Sequence, residues 1–104
     1  MLLTDALPQL ASEIEQLLEH HGELDLAAQV SQLKIVDRCR CGDGFCSSFY
    51  TQPKPEGPYG PTHRCLDLDA NDGMLVLDLV EGRIAHVEVL NRDDIRQRLV
   101  AELP

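Results

Sequence analysis

The chain has few aromatic residues and no tryptophan, and this limits how its core can be built. Aromatic residues make up 4% of its 104 residues, so the core must consist mainly of Leu, Ile, Val and Ala. No apolar run approaches the roughly 20 residues that a membrane span requires. A chain of this length is expected to form one domain, residues 1–104, whose core needs neither a disulfide nor a metal.

Basic residues are also scarce, which bears on the kind of partner the protein can have. Nine Lys and Arg face 18 Asp and Glu, giving a net charge of −9. Because such a surface repels phosphates, we expect no nucleic-acid binding and instead expect a protein partner. Only residues 38–65 reverse the sign, with four bases (Arg38, Arg40, Lys54 and Arg64) against two acids (Asp43 and Glu56).

The first residues lack the basic character of a signal peptide. The only charged residue near the start is Asp5, and no long apolar segment follows it. We therefore expect a cytoplasmic protein that is not bound to a membrane. In that reducing compartment the four cysteines are expected to be free thiols rather than two disulfides.

Apolar residues recur every three to four positions in residues 1–33, which predicts a helical hairpin. Pro8 suits the first turn of the first helix, and Gly22 suits its end. A second helix is expected from Glu23 to about Leu33. The residues predicted to face inward are Leu7, Leu10, Ile14, Leu17 and Leu18 in the first helix, and Leu24, Ala27, Ala28 and Val30 in the second.

The period changes to two in residues 34–90, which predicts a sheet. A hairpin is expected around Gly42-Asp43-Gly44, and the Pro/Gly-rich segment 53–61 is expected to be an exposed loop. The predicted strands are Lys34–Cys41, Phe45–Thr51, His63–Asp69, Met74–Val80 and Arg83–Leu90. Residues 91–104 should form a short helix, capped by Asn91 or Asp93 and apolar at Ile95, Leu99, Val100 and Leu103. The expected fold is α+β: an N-terminal helical hairpin, a mainly antiparallel sheet of about five strands, and a short C-terminal helix.

All four cysteines and one histidine lie between residues 39 and 65, and they are the candidate metal ligands: Cys39, Cys41, Cys46, Cys65 and His63. On an extended strand the Cβ atoms of Cys39 and Cys41 would be about 6–7 Å apart, a poor distance for sharing one ion. Cys41 and Cys46 flank the predicted turn and should oppose each other, so they form the better half of a zinc site.

The same cysteines fit other chemistries. Cys41 and Cys46 could close a redox-active disulfide, and Cys46 could act as a nucleophile with His63 as its base. The simplest interpretation is that the thiols pack as small apolar side chains in the core. The sequence alone does not choose among these alternatives.

Four short motifs carry a resemblance to other proteins. Residues 39–51 read C-x-C-G-x-x-x-C-x-x-F-Y-T, residues 59–61 read Tyr-Gly-Pro, residues 72–74 read Asp-Gly-Met, and residues 82–90 read Gly-Arg-Ile-Ala-His-Val-Glu-Val-Leu. This pattern resembles a group of short, uncharacterised bacterial proteins with no assigned activity. The resemblance implies a bacterial cytoplasmic origin and supports the cysteine hairpin, but it implies no chemistry.

Taken together, these features predict a non-enzymatic, acidic binding or regulatory domain. Its expected interaction surface is the Cys/Arg hairpin and the adjoining loop, with Arg38, Arg40, Arg64 and Tyr59 as contact residues. No cofactor is expected, with zinc as the one metal that the cysteine pattern suggests. The alternatives are a zinc-stabilised thiolate domain and a thiol redox protein.

Overall fold

The N-terminal third is helical, as its periodicity predicts. In the computed structural model, which describes residues 1–104, three helices come first: α1 (Leu3–Ala6), α2 (Pro8–His20) and α3 (Leu24–Gln29), the last continued by a 3-10 turn at Val30–Gln32. Pro8 occupies the first turn of α2, and Gly22 follows its end with φ of 76°. The predicted hairpin of two helices is confirmed in α2 and α3.

The inward face of α3 differs from the prediction. Leu24 is 65% exposed and Ala28 is exposed, whereas Leu26 is buried. The stripe that faces the core is Leu26, Ala27 and Val30, at positions i, i+1 and i+4. Leu24 falls outside this stripe, which explains why the prediction was wrong there.

Five strands form one antiparallel sheet, which confirms the predicted fold class. They are β1 (Asp37–Arg38), β2 (Phe49–Tyr50), β3 (His63–Asp67), β4 (Met74–Val80) and β5 (Arg83–Leu90), and their order across the sheet is β1-β2-β5-β4-β3. The bounds of β4 and β5 match the prediction, and β3 is two residues shorter than predicted. The first two strands are much shorter than predicted, because residues 34–36 lie outside β1 and residues 39–48 form a loop that keeps only isolated pairings such as Cys46 with Leu90.

The helices cover one face of this sheet. A core of 21 buried residues joins α2, α3 and the C-terminal helix α4 (Asp93–Glu102) to the inward side chains of the strands. Along β4 the buried residues Leu75, Leu77 and Leu79 alternate with half-buried Val76, Asp78 and Val80. The second set belongs to the opposite face of the sheet, where several polar side chains lie.

A bulge in the β4–β5 pair decides which side chains share a face. Leu79 pairs with Ile84, but Asp78 pairs with His86, so Ala85 is the extra residue. Without this shift Asp78 would lie opposite Ala85, a buried residue. The bulge therefore keeps Leu79 and Val87 in the core and places Asp78 beside His86 on the other face.

Helix α4 closes the core at the end of the chain. Its N-cap residue is Arg92, without a side-chain cap, so the predicted caps Asn91 and Asp93 were wrong. The Arg92 guanidinium instead pairs with Glu13 of α2, with Nη1 3.1 Å from Oε1. Ile95 and Leu99 are buried as expected, but Val100, which lines the cavity beside the cysteine loop, is 38% exposed. None of the helices combines the length and apolar character that crossing a bilayer would need.

Two glycines with positive φ provide a test of this packing. A Cβ at Gly73 (φ 64°) would collide with the backbone oxygen of Leu90, whereas a Cβ at Gly82 (φ 74°) would meet open space. Gly82→Ala should cost only the left-handed backbone strain of roughly 1–2 kcal/mol. We expect Gly73→Ala to lower the free energy of unfolding by about 1–3 kcal/mol more, through overpacking. Urea denaturation of both variants checks this, and equal losses would contradict the close approach of Gly73 to β5.

Candidate metal centre

Three of the four cysteines converge in the loop between β1 and β2. The Sγ atoms of Cys39, Cys41 and Cys46 all lie within 4.8 Å of one another. Gly42, with φ of 83°, reverses the chain, and the Cys46 N–H donates to the Asp43 carbonyl at 3.1 Å. The expectation that Cys39 and Cys41 lie too far apart was wrong, because neither residue is in an extended strand.

The loop is held against the end of β5 by backbone and serine hydrogen bonds. The Ser47 N–H donates to the Val89 carbonyl at 2.8 Å, and its hydroxyl donates to the Arg92 carbonyl at 2.9 Å. The Ser48 hydroxyl oxygen accepts from the Val89 N–H at 2.9 Å. Both serines are buried, and their hydrogen bonds satisfy backbone groups that a longer β2 would otherwise pair with. The cysteines therefore project from a loop with a defined backbone.

A small cavity of about 30 Å³ lies beside the three thiols. Besides the cysteines, its lining includes Arg38 and Asp43, and Arg96, Leu99 and Val100 from α4. A space of this size holds one water molecule or one ion. The cavity is therefore suited to a single metal ion rather than to an organic cofactor.

The pKa values of Cys39 and Cys46 are shifted in opposite directions. Burial, together with hydrogen bonds to the Cys41 and Cys46 thiols, raises the pKa of Cys39 to about 11. Burial alone would also raise the pKa of Cys46, but hydrogen bonds from Ser48 and from the neighbouring thiols lower it below its usual value. A bound cation would favour the thiolate form of its cysteine ligands.

Cys65 and His63, which the sequence grouped with these cysteines, lie elsewhere. Both are on β3, at the far edge of the sheet, and there they form a second group with Asp78 of β4. This placement separates Cys46 from His63, so the two are not arranged as nucleophile and base.

Asp78 and His86 were not among the predicted site residues. The one signal for Asp78 was its charge within the otherwise apolar strand 74–80.

The residues predicted to form an interaction surface occupy two separate places. Arg38 donates to the Leu103 carbonyl at 2.6 Å, and Arg40 donates to the Pro104 carbonyl at 3.2 Å and to Asp37 at 2.9 Å. Arg64 instead pairs with Glu23 at 3.3 Å. The Tyr59 ring lies 4.6 Å from the His63 ring, between centroids. Arg38, at the end of β1, and Arg40 therefore lie beside the cysteines, whereas Arg64 and Tyr59 lie at the β3 edge.

Comparison with known proteins does not assign the chain to a family. No protein-family model, curated protein or solved structure matches the chain. Any function must therefore be argued from the two groups of side chains themselves.

The serine anchor of the cysteine loop can be tested directly. Ser48→Ala leaves the Val89 N–H buried without a partner, so we expect the free energy of unfolding to fall by about 1–3 kcal/mol. Ser12→Ala is the matched control, since Ser12 is exposed in the middle of α2 and its loss should be neutral. Urea denaturation compares the two. Equal stability of both variants would contradict a loop that Ser48 pins to β5.

Proposed function

We propose that this protein is a non-enzymatic, zinc-binding regulatory domain in which Cys39, Cys41 and Cys46 hold the metal. The observation that carries the proposal is the convergence of the three Sγ atoms to within 4.8 Å. Zn–S bonds of ~2.3 Å in tetrahedral geometry place two sulfurs ~3.8 Å apart. Small side-chain rotations would bring the thiols to that distance, because the loop backbone already holds them on one side.

Zinc suits this donor set for reasons of chemistry and charge. Thiolates are soft ligands that favour Zn²⁺ over Mg²⁺ or Ca²⁺. Three thiolates and one Zn²⁺ would leave one negative charge, and Arg38 and Arg96 line the same cavity. The fourth coordination position would remain for water, for Asp43 or for a group from a partner.

The metal would also order the surface that we propose for partner binding. Phe45, between Cys41 and Cys46, is 52% exposed, and Arg40 is exposed nearby. Exposed aromatic and arginine side chains are enriched at protein interfaces. Zinc binding would fix the loop conformation that presents both residues, which makes metal occupancy a means of regulating the interaction.

Removal of one ligand should test the centre. We expect the reduced wild-type protein to bind Zn²⁺ at this centre, and Cys46→Ser to weaken that binding by at least about 100-fold, beyond the 10–100-fold of an outer-shell change. Cobalt(II) titration distinguishes this centre, since the intensity of its sulfur-to-metal charge-transfer band grows with the number of thiolates. Cys65→Ser is the control, since that thiol lies outside the centre and should leave the strong band intact. An equally strong band in Cys46→Ser would refute the proposal.

Metal removal should destabilise the protein without unfolding it. None of the four cysteines belongs to the buried core of 21 residues, so the helices and sheet should persist when zinc is chelated. Saturating zinc at 1,000 times its dissociation constant should add about 4 kcal/mol to the free energy of unfolding. Thermal unfolding with and without chelator measures the difference, and circular dichroism checks that the helices remain. An unchanged melting temperature would contradict metal binding to the native state.

A further inference from the structure

A second row of ligand-type side chains crosses the sheet face that the helices leave uncovered. Cys65 of β3 lies opposite Asp78 of β4, which in turn lies opposite His86 of β5. His63 precedes Cys65 by two residues and therefore points to the same face. Across the sheet, three strand spacings of ~4.8 Å, about 14 Å in all, separate β3 from the position of β2. Along the sheet, Cys46 pairs with Leu90, four residues beyond His86, so Cys65 and Cys46 lie further apart still. The row is therefore independent of the cysteine loop.

Three potential ligand atoms in this row lie close enough together to bind one metal ion. His63 Nε2 is 2.8 Å from Asp78 Oδ1, Cys65 Sγ is 3.2 Å from the same oxygen, and Cys65 Sγ is 3.7 Å from His63 Nε2. Tetrahedral Zn²⁺ with bonds of 2.0–2.3 Å would separate its ligands by ~3.3–3.6 Å. To accept the ion, the two distances to Cys65 Sγ would change by less than about 0.5 Å, and the distance between His63 Nε2 and Asp78 Oδ1 would lengthen by about 0.5 Å.

The three donors are joined by hydrogen bonds through Asp78, and their chemistry also suits a metal ion. A thiol is a weak hydrogen-bond donor, so Cys65 contributes little by pointing at a carboxylate, whereas its thiolate is a strong metal ligand. Asp78 is a carboxylate in an interior strand, with 17% of its side chain exposed. A divalent cation would neutralise this charge and bind the thiolate and the imidazole at the same time.

We propose that His63 Nε2, Cys65 Sγ and Asp78 Oδ1 form a second, mononuclear site for a divalent transition-metal ion such as Zn²⁺. Mixed nitrogen, sulfur and oxygen donors suit this class of ion. Three protein ligands leave one coordination position open, and the exposure of Cys65 directs that position toward solvent. This arrangement is the one in which zinc can also bind an exogenous ligand.

His86 acts as a positioning residue in this proposal. Its Nδ1 lies 2.9 Å from Asp78 Oδ2, the carboxylate oxygen that the metal does not need. The Tyr50 ring packs on His86 with the ring centroids 4.6 Å apart, which fixes the orientation of the imidazole. Outer-shell hydrogen bonds of this kind typically change metal affinity by about 10–100-fold.

The test is Zn²⁺ binding to the reduced full-length protein, measured by competition with a chromophoric chelator. We expect wild type to bind two ions, and Cys65→Ser and His63→Gln to bind one each, with the second site weakened by at least about 100-fold, again beyond the outer-shell range. Glu88→Gln is the matched control, since Glu88 shares the sheet face but joins neither group, and it should bind two ions. His86→Gln should retain the site at about 10–100-fold lower affinity.

The outcomes separate this site from the cysteine loop. If the loop binds no zinc, wild type should bind one ion, Cys46→Ser should still bind it, and Cys65→Ser should bind none. Heteronuclear NMR of the imidazole rings should show zinc-dependent shifts of His63 in both wild type and Cys46→Ser. Both Cys65 and His63 lie at the sheet surface, so the variants should fold. If Cys65→Ser does not fold, His63→Gln provides the test of the site. Unchanged stoichiometry in the folded variants, or a His63 ring that does not respond to zinc, would overturn the proposal.

Discussion

The pairing of β5 with its two neighbours is the interaction on which the rest of the structure depends. β5 lies between β4 and β2, and both groups of ligand-type side chains take their positions from it. The cysteine loop is attached through the Cys46–Leu90 bridge and through the hydrogen bonds of Ser47 and Ser48 to Val89. The arrangement of the second group depends on the pairing of Asp78 in β4 with His86 in β5. A shift of β5 by one residue would exchange its two faces and dismantle both groups.

The parts of the fold that follow from local patterns could be predicted from the sequence. Strands β4 and β5 have the predicted bounds because the apolar run 74–80, the alternation in residues 85–90 and the Glu81-Gly82 turn define them, and both turn residues adopt positive φ. The helical hairpin followed from its apolar spacing together with Pro8 and Gly22. The two strands around the cysteines were overestimated, since period-two alternation there does not reveal that serine side chains replace ladder hydrogen bonds.

The composition of the two groups could not be predicted, because it depends on contacts between distant parts of the chain. A regular hairpin about Glu81-Gly82 would place Asp78 opposite Ala85, and only the bulge brings His86 to it. The bulge is required because Leu79 and Val87 must both be buried, a condition set by the whole core rather than by the turn. Likewise, the spacing of Cys65 from Cys46 does not show that β3 pairs with β4 at the opposite edge of the sheet.

Charges in both groups affect the pKa of Tyr50, which lies between them. Burial is the main reason that the pKa of Tyr50 is raised, and repulsion from Asp78, and from Cys39 once that thiol is ionised, raises it further. Tyr50 therefore lies within the field of both groups, packed on His86 and only four residues after Cys46. In a chain of net charge −9, anionic ligands at both places add to an already unfavourable accumulation of negative charge. A cation bound at either group would make the electrostatic potential at that group less negative and so would reduce repulsion among its anionic ligands.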